Sequence, residues 1–78
     1  MRLAERIEMN PEVMLGKPVI AGTRIPVELI LRRISQGASE QDVLTSYPHL
    51  TCEDIRAAVA FAADEIAHAE TIDSTAAD

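Results

Sequence analysis

Residues 16–27 read Gly16-Lys17-Pro18-Val19-Ile20-Ala21-Gly22-Thr23-Arg24-Ile25-Pro26-Val27, and the way this stretch folds decides the rest of the chain. It holds two of the three glycines and two of the four prolines. Val19-Ile20 and residues 23–25 are short apolar runs on either side of Ala21-Gly22. That is the pattern of a tight β-hairpin, in which glycine supplies positive φ without a steric penalty. Pro18 and Pro26 have no N–H to give a ladder, so they bracket a short or edge sheet over residues 17–25. Pro26 also presets φ for the first turn of a helix, where its missing N–H costs nothing.

Downstream, the apolar period switches from two to 3.6. Val27, Ile30, Leu31 and Ile34 fall at i, i+3, i+4 and i+7, one face of a helix over residues 26–36, with Gly37 as its C′ residue. Leu29 and Arg33 point away from that face. Ser39 caps a second, shorter helix with acids in its first turn; Val43, Leu44 and Tyr47 face the core and Pro48 ends it. Thr51 caps a third helix, with Asp54 three residues on in a capping-box arrangement. Ile55, Ala58, Val59, Ala62 and Ile66 form its expected core stripe. Phe61 lies roughly 120° from the centre of that stripe, counting about 100° per residue, on the side of Asp54, Ala57 and Glu65.

Upstream, Ile7-Glu8-Met9 reads as a short strand ended by the Asn10-Pro11 turn signal. Val13-Met14-Leu15 carries no signal for any element. Beyond Ala69 the residues turn small and polar, the composition of a frayed tail. The expected fold is mainly α: a small N-terminal β-hairpin followed by a three-helix, homeodomain-like helix-turn-helix. Residues 1–69 form one domain and residues 70–78 a flexible C-terminal tail.

Seventy-eight residues allow one small core, so stability calls for a supplement, and a homodimer or a bound partner is the expected one. No run of apolar residues is long enough for a membrane span, and the charged start lacks the apolar core of a signal peptide. With Cys52 as the one cysteine, the expected location is a reducing cytoplasm. Charge is unevenly spread. Residues 1–33 carry six basic and four acidic side chains, whereas residues 34–78 carry Arg56 alone against nine acids, giving −6 in all. An acidic chain has no general attraction to nucleic acid, so any DNA contact must come from the N-terminal half or from arginines clustered in a dimer.

Chemistry-bearing residues are sparse. His49, His68 and Cys52 have no metal-ligand spacing, Ser39 and Thr51 are explained as caps, and the glycines belong to turns, not to a phosphate loop. No catalytic, metal or cofactor site is expected, and the chain reads as non-enzymatic.

The stretch from about Ile7 to Ala67 resembles the bacterial family called domain of unknown function 433. The resemblance rests on residues 16–27 as quoted, then Gly37, then Tyr47-Pro48-His49-Leu50-Thr51, and Asp54-Ile55 with Ala57-Ala58. It implies a β-hairpin plus helix-turn-helix domain of antitoxin type. Such a domain neutralises a PIN-like nuclease toxin by direct binding and represses its own promoter as a dimer. The alternative is a dimerisation or protein-interaction module that keeps the helix-turn-helix shape without touching DNA.

The third helix holds the recognition position, yet its first turns show Cys52, Glu53, Asp54, Arg56 and Ala57, of which Arg56 alone suits base-edge reading. The remaining candidates for operator DNA are Lys17, Arg24, Arg32 and Arg33, beside the hairpin and first helix. For protein contacts the candidates are Leu29 and Phe61, apolar but off the core faces, and Val19 and Ile20. A lone two-stranded hairpin is marginal in water, so the last two could complete a sheet across a dimer.

Overall fold

Around Ala21-Gly22 the chain does reverse. The Thr23 N–H donates to the Ile20 carbonyl at 3.0 Å, and Gly22 takes φ 78°, which only glycine adopts without strain. Its N–H donates in turn to the Glu8 carboxylate at 2.9 Å. On the return arm the Ile20 N–H donates to the Ile25 carbonyl (3.0 Å) and the Val27 N–H to the Pro18 carbonyl (2.9 Å). Val19 faces Pro26 in a single antiparallel bridge. The arm goes no further as a strand because Pro26 donates nothing and Val27 already begins a helix.

The computed structural model describes the backbone of residues 1–77 and the side chains of residues 1–69. Three strands, β1 (Arg2–Ala4), β2 (Ile7–Glu8) and β3 (Val19–Ile20), precede three helices, α1 (Val27–Ser35), α2 (Glu40–Ser46) and α3 (Cys52–Ala77). The mainly α fold with a small N-terminal sheet is therefore as expected, but the sheet is built differently. Its order is β1-β2-β3, antiparallel throughout, with Ile7 opposite Ile20 and Glu8 opposite Val19. The hairpin over residues 17–25 is thus the outer half of a sheet completed by residues 2–8 of the same chain. Val19 and Ile20 are each only 1% exposed, packed in the protein's own interior. As interface candidates they are corrected: their side chains are already covered. The expected tail, residues 70–78, lies outside the residues whose side chains are described.

The helices start and stop where their end residues require. Pro26 (φ −68°, ψ 142°) is the N-cap of α1, so the helix begins one residue later than expected. Val27 and Ile30 are buried on the predicted face, with Leu31 and Ile34 half-buried. At the far end Gly37 takes φ 97°; its N–H donates to the Ile34 carbonyl and that of Ala38 to the Arg33 carbonyl. This pair of bonds is a Schellman motif closing the orphan carbonyls. At α2 the Ser39 hydroxyl accepts from the Asp42 N–H (3.0 Å) and the Asp42 carboxylate accepts from the Ser39 N–H (2.9 Å), a full capping box.

At α3 the same box forms between Thr51 and Asp54, as the sequence predicts. The expected core stripe does not hold. Ile55 and Ala58 are buried, but Val59 is 46% and Ile66 58% exposed. Phe61 and Ala57 instead pack against the core, and Asp54 beside them is 9% exposed. The buried face is rotated toward Phe61, because α3 carries small or apolar residues on several sides and its neighbours, not its own pattern, select one. Ile7, Ile20, Val27, Ile30, Val43, Leu50, Ile55 and Ala58 form the continuous core. Each fully buried Ile or Val there contributes roughly 1.5–3 kcal/mol.

One segment runs against local preference. Met14, Leu15 and Gly16 take φ of 51°, 58° and 82°, three left-handed residues in succession. For the two non-glycines this costs about 1–2 kcal/mol each. The loop is held by Asn10, whose carbonyl accepts from the Val13 N–H and whose side chain accepts from the Glu12 N–H. The Gly16 N–H donates to Val13 and that of Lys17 to Met14. Leu15, at its tip, is 94% exposed. Among the described residues no helix is long and apolar enough to cross a membrane.

Candidate functional site

Surface chemistry here is set by where the basic side chains end up. Lys17 leaves the strained loop and its Nζ donates to the Glu28 carboxylate at 2.5 Å; Arg32, one turn along α1, lies 3.8 Å from the other oxygen of that carboxylate. The Lys17 hydrogen bond and charge, with Arg32 behind them, hold the Glu28 carboxyl below the usual glutamate range. Arg33 donates from Nη2 to the Ser46 hydroxyl at 3.2 Å, in an open polar hollow between α1 and α2 that also holds Asp42. Arg56 lies 3.9 Å from Glu40. Arg24 is exposed in the loop after Gly22. The five DNA candidates thus fall into separate neighbourhoods, and three of them face a carboxylate of the chain itself. Lys17 and Arg32 are brought together, around Glu28.

Arg6 escaped the sequence reading. It sits in the turn between β1 and β2 at φ 67°, and its Nη1 donates to the Asp54 carboxylate at 3.1 Å across 48 residues of chain. Its carbonyl also accepts from the Ala21 N–H at 2.8 Å. One residue therefore ties the sheet to the first turn of α3. Asp54 is committed to this bond and to its cap, so it does not contribute to a free acidic surface.

Apolar surface gathers along α3. On one flank a groove of about 340 Å³ runs between α1 and α3, walled by Pro18, Val27, Leu31, Phe61, Ala62 and Ile66, with Lys17, Glu28 and Glu65 also on its lining. Phe61, predicted as an interface residue, is half-buried here: it packs on the core and also reaches the groove. On another flank Val59 joins Ile34, Ala38, Ile55, Ala60 and Ala63 in a second apolar groove of about 400 Å³. A third hollow combines Ala57, Ala60 and Phe61 with the carboxylates of Glu5, Glu53 and Asp64 and the guanidinium groups of Arg6 and Arg56. Leu29 is half-buried and lines none of these grooves. Sequence reasoning missed Val59 and Ile66 as surface residues because it assigned them to the core. The exposure of Leu15 had no local signal at all.

These features sit in a recognisable lineage. Residues 7–62 match the family model described as "Protein of unknown function (DUF433)". A crystal structure of a DUF433 member protein from Anabaena variabilis superposes with a TM-score of 0.74 at 36% identity, covering 97% of this chain and 72% of that one. The uncharacterized protein y4eO of Sinorhizobium fredii is 34% identical over 58 residues, 74% of this chain. The chain spans only 26% of y4eO's length. An uncharacterized protein of Archaeoglobus fulgidus is 57% identical over 28 residues, 36% of this chain and 78% of its own.

Proposed function

The chain belongs to the DUF433 family, and from that premise we propose that it acts by binding another protein, as the antitoxin of a pair, neutralising a PIN-like nuclease toxin in the cytoplasm without catalysis of its own. The observation that carries this reading is the exposure of Val59 and Ile66 on α3, each beside an apolar groove. Exposed apolar side chains lining concave surface are what a docking helix or loop buries. The acids Glu53 and Asp64 on the same helix add attraction for a basic partner and speed its encounter.

The second reading, an interaction and dimerisation module that does not touch DNA, is favoured over promoter repression by one finding. Lys17, Arg32 and Arg56 each lie beside a carboxylate of this chain, whose charge opposes the approach of a phosphate there. Autoregulation through Arg24 and Arg33 is the residual form of the DNA proposal.

Co-expression with the product of the neighbouring gene tests the antitoxin reading. Rescue from toxicity and co-purification are expected, and Val59→Asp should weaken both. Failure of rescue with a well-folded chain overturns it. Retention of an operator fragment that is unchanged by reversing Arg24 and Arg33 together would remove those two from DNA binding.

A further inference from the structure

We infer that the loop of residues 9–18 is a protein-binding knob, with Leu15 as the anchor that enters an apolar pocket of the partner protein. The inference deepens the antitoxin reading and rests on it. β2 and β3 are antiparallel neighbours, with Glu8 opposite Val19, and a connection of about two to five residues would join them. The chain uses residues 9–18 instead, and the ends of this excursion stay together, as in an Ω-loop. The excursion is folded on itself. The Asn10 carbonyl and side chain accept from the Val13 and Glu12 N–H groups, and the Val13 and Met14 carbonyls accept from those of Gly16 and Lys17. Gly16 lies so close to Pro11 that a Cβ there would stand 3.7 Å from the Pro11 Cα.

What this support holds out is an apolar tip. Leu15 combines a left-handed backbone (φ 58°, ψ 31°) with 94% exposure, and Met14 before it (φ 51°) is 42% exposed. Neither residue suits the isolated chain. Glycine or asparagine takes a left-handed backbone at less cost, and a polar side chain leaves no apolar surface in water. Strain retained by the surrounding structure belongs to positions that meet a ligand or partner. Leucine brings a compact apolar body to such a contact, and the unbranched methionine beside it adapts to the shape it meets.

The place of the knob on the molecule selects its occupant. Lys17 and Pro18, at the end of the loop, line the α1–α3 groove that also holds Ile66. Knob and groove thus adjoin, convex beside concave, and the knob continues the surface already assigned to the toxin. Net charge favours a foreign protein over a second copy. Two chains of formal charge −6 repel at long range, whereas a basic partner is drawn in. The surface that fits is a concave apolar pocket on a protein without strong negative charge.

Co-expression of the full chain with the product of the neighbouring gene, then titration of the two purified proteins, tests this. Leu15→Gly and Leu15→Asn should each weaken the complex about tenfold or more, as loss of an interface anchor does, and reduce rescue from toxicity. Neither should lower the midpoint of thermal unfolding, since both residues accept the left-handed backbone. Met14→Ala should weaken the complex less. Absence of any complex with the folded wild type overturns the antitoxin reading, and this inference with it. A complex that withstands both Leu15 substitutions overturns the knob alone. A lowered unfolding midpoint in both variants also overturns it, because the leucine then serves the fold. Wild-type dimers that both substitutions dissociate, with the complex unchanged, assign Leu15 to a second copy and overturn it as well.

Discussion

The starts of α2 and α3 carry the same exchange of hydrogen bonds in opposite surroundings. Ser39 and Asp42 form their capping box on the surface, whereas Thr51 and Asp54 form theirs against the core, with Arg6 bound to the second oxygen system of the carboxylate. The exposed box stabilises one short helix. The buried one is also where the sheet is fastened to the long helix. An identical local motif thus has a local effect in one place and a global effect in the other, and what separates them is one guanidinium contributed from 48 residues away.

Breaking the buried box should show this most strongly. Asp54→Ala removes the cap and leaves Arg6 without its carboxylate, and is expected to cost about 2–3 kcal/mol in urea denaturation. Arg6→Ala keeps the cap and removes only the tie to the sheet. It should cost about 1–2 kcal/mol, discounted because the arginine end is partly solvated. Equal losses for the two variants would mean that the cap at α3 contributes nothing measurable. Thr51→Ala, which removes one bond of the box and leaves the ion pair, should cost about 1 kcal/mol.

The exposed box should respond to acid. The Ser39 N–H and hydroxyl bonds hold the Asp42 carboxyl below the usual aspartate value, with Arg33 adding to this. A carboxylate whose folded value is depressed contributes stability that is present above its unfolded value and is lost as pH falls through the folded one. Asp42→Asn should therefore leave stability less dependent on pH below about 4. Ser39→Ala is the smallest perturbation, expected to cost about 0.5–1 kcal/mol at neutral pH. Thermal melts across that pH range check both.

The Thr51–Asp54 box and the Ser39 cap could be read from sequence, because a cap is a relation between residues three apart, whereas the return bond of Asp42 to Ser39 came from the structure. So could the α1 face, the Gly37 stop and the turn at Gly22, each a short-range demand on φ or periodicity. The ion pair of Arg6 with Asp54 could not, since nothing near Arg6 marks it as a long-range partner. β1 was invisible for a similar reason: three residues that pair only because Ile7 and Glu8 lie opposite them have no pattern of their own. Phe61 was placed on the wrong side of α3 because alanines make that helix apolar nearly all round, so a stripe drawn through Val59 and Ile66 was as regular as the true one. The candidate site suffered most from this error, since the residues assigned to the interior proved to be its exposed walls.

The bond from the Val27 N–H to the Pro18 carbonyl bears on how the molecule opens and closes. An amide in the first turn of a helix ordinarily has no partner within the helix and exchanges its hydrogen rapidly. Here that amide is held by the residue just before β3, so its exchange should follow the opening of the sheet, not the fraying of α1. Sheet and first helix would then open as one cooperative unit hinged on the buried Pro26, and a single slow amide at Val27 would report it.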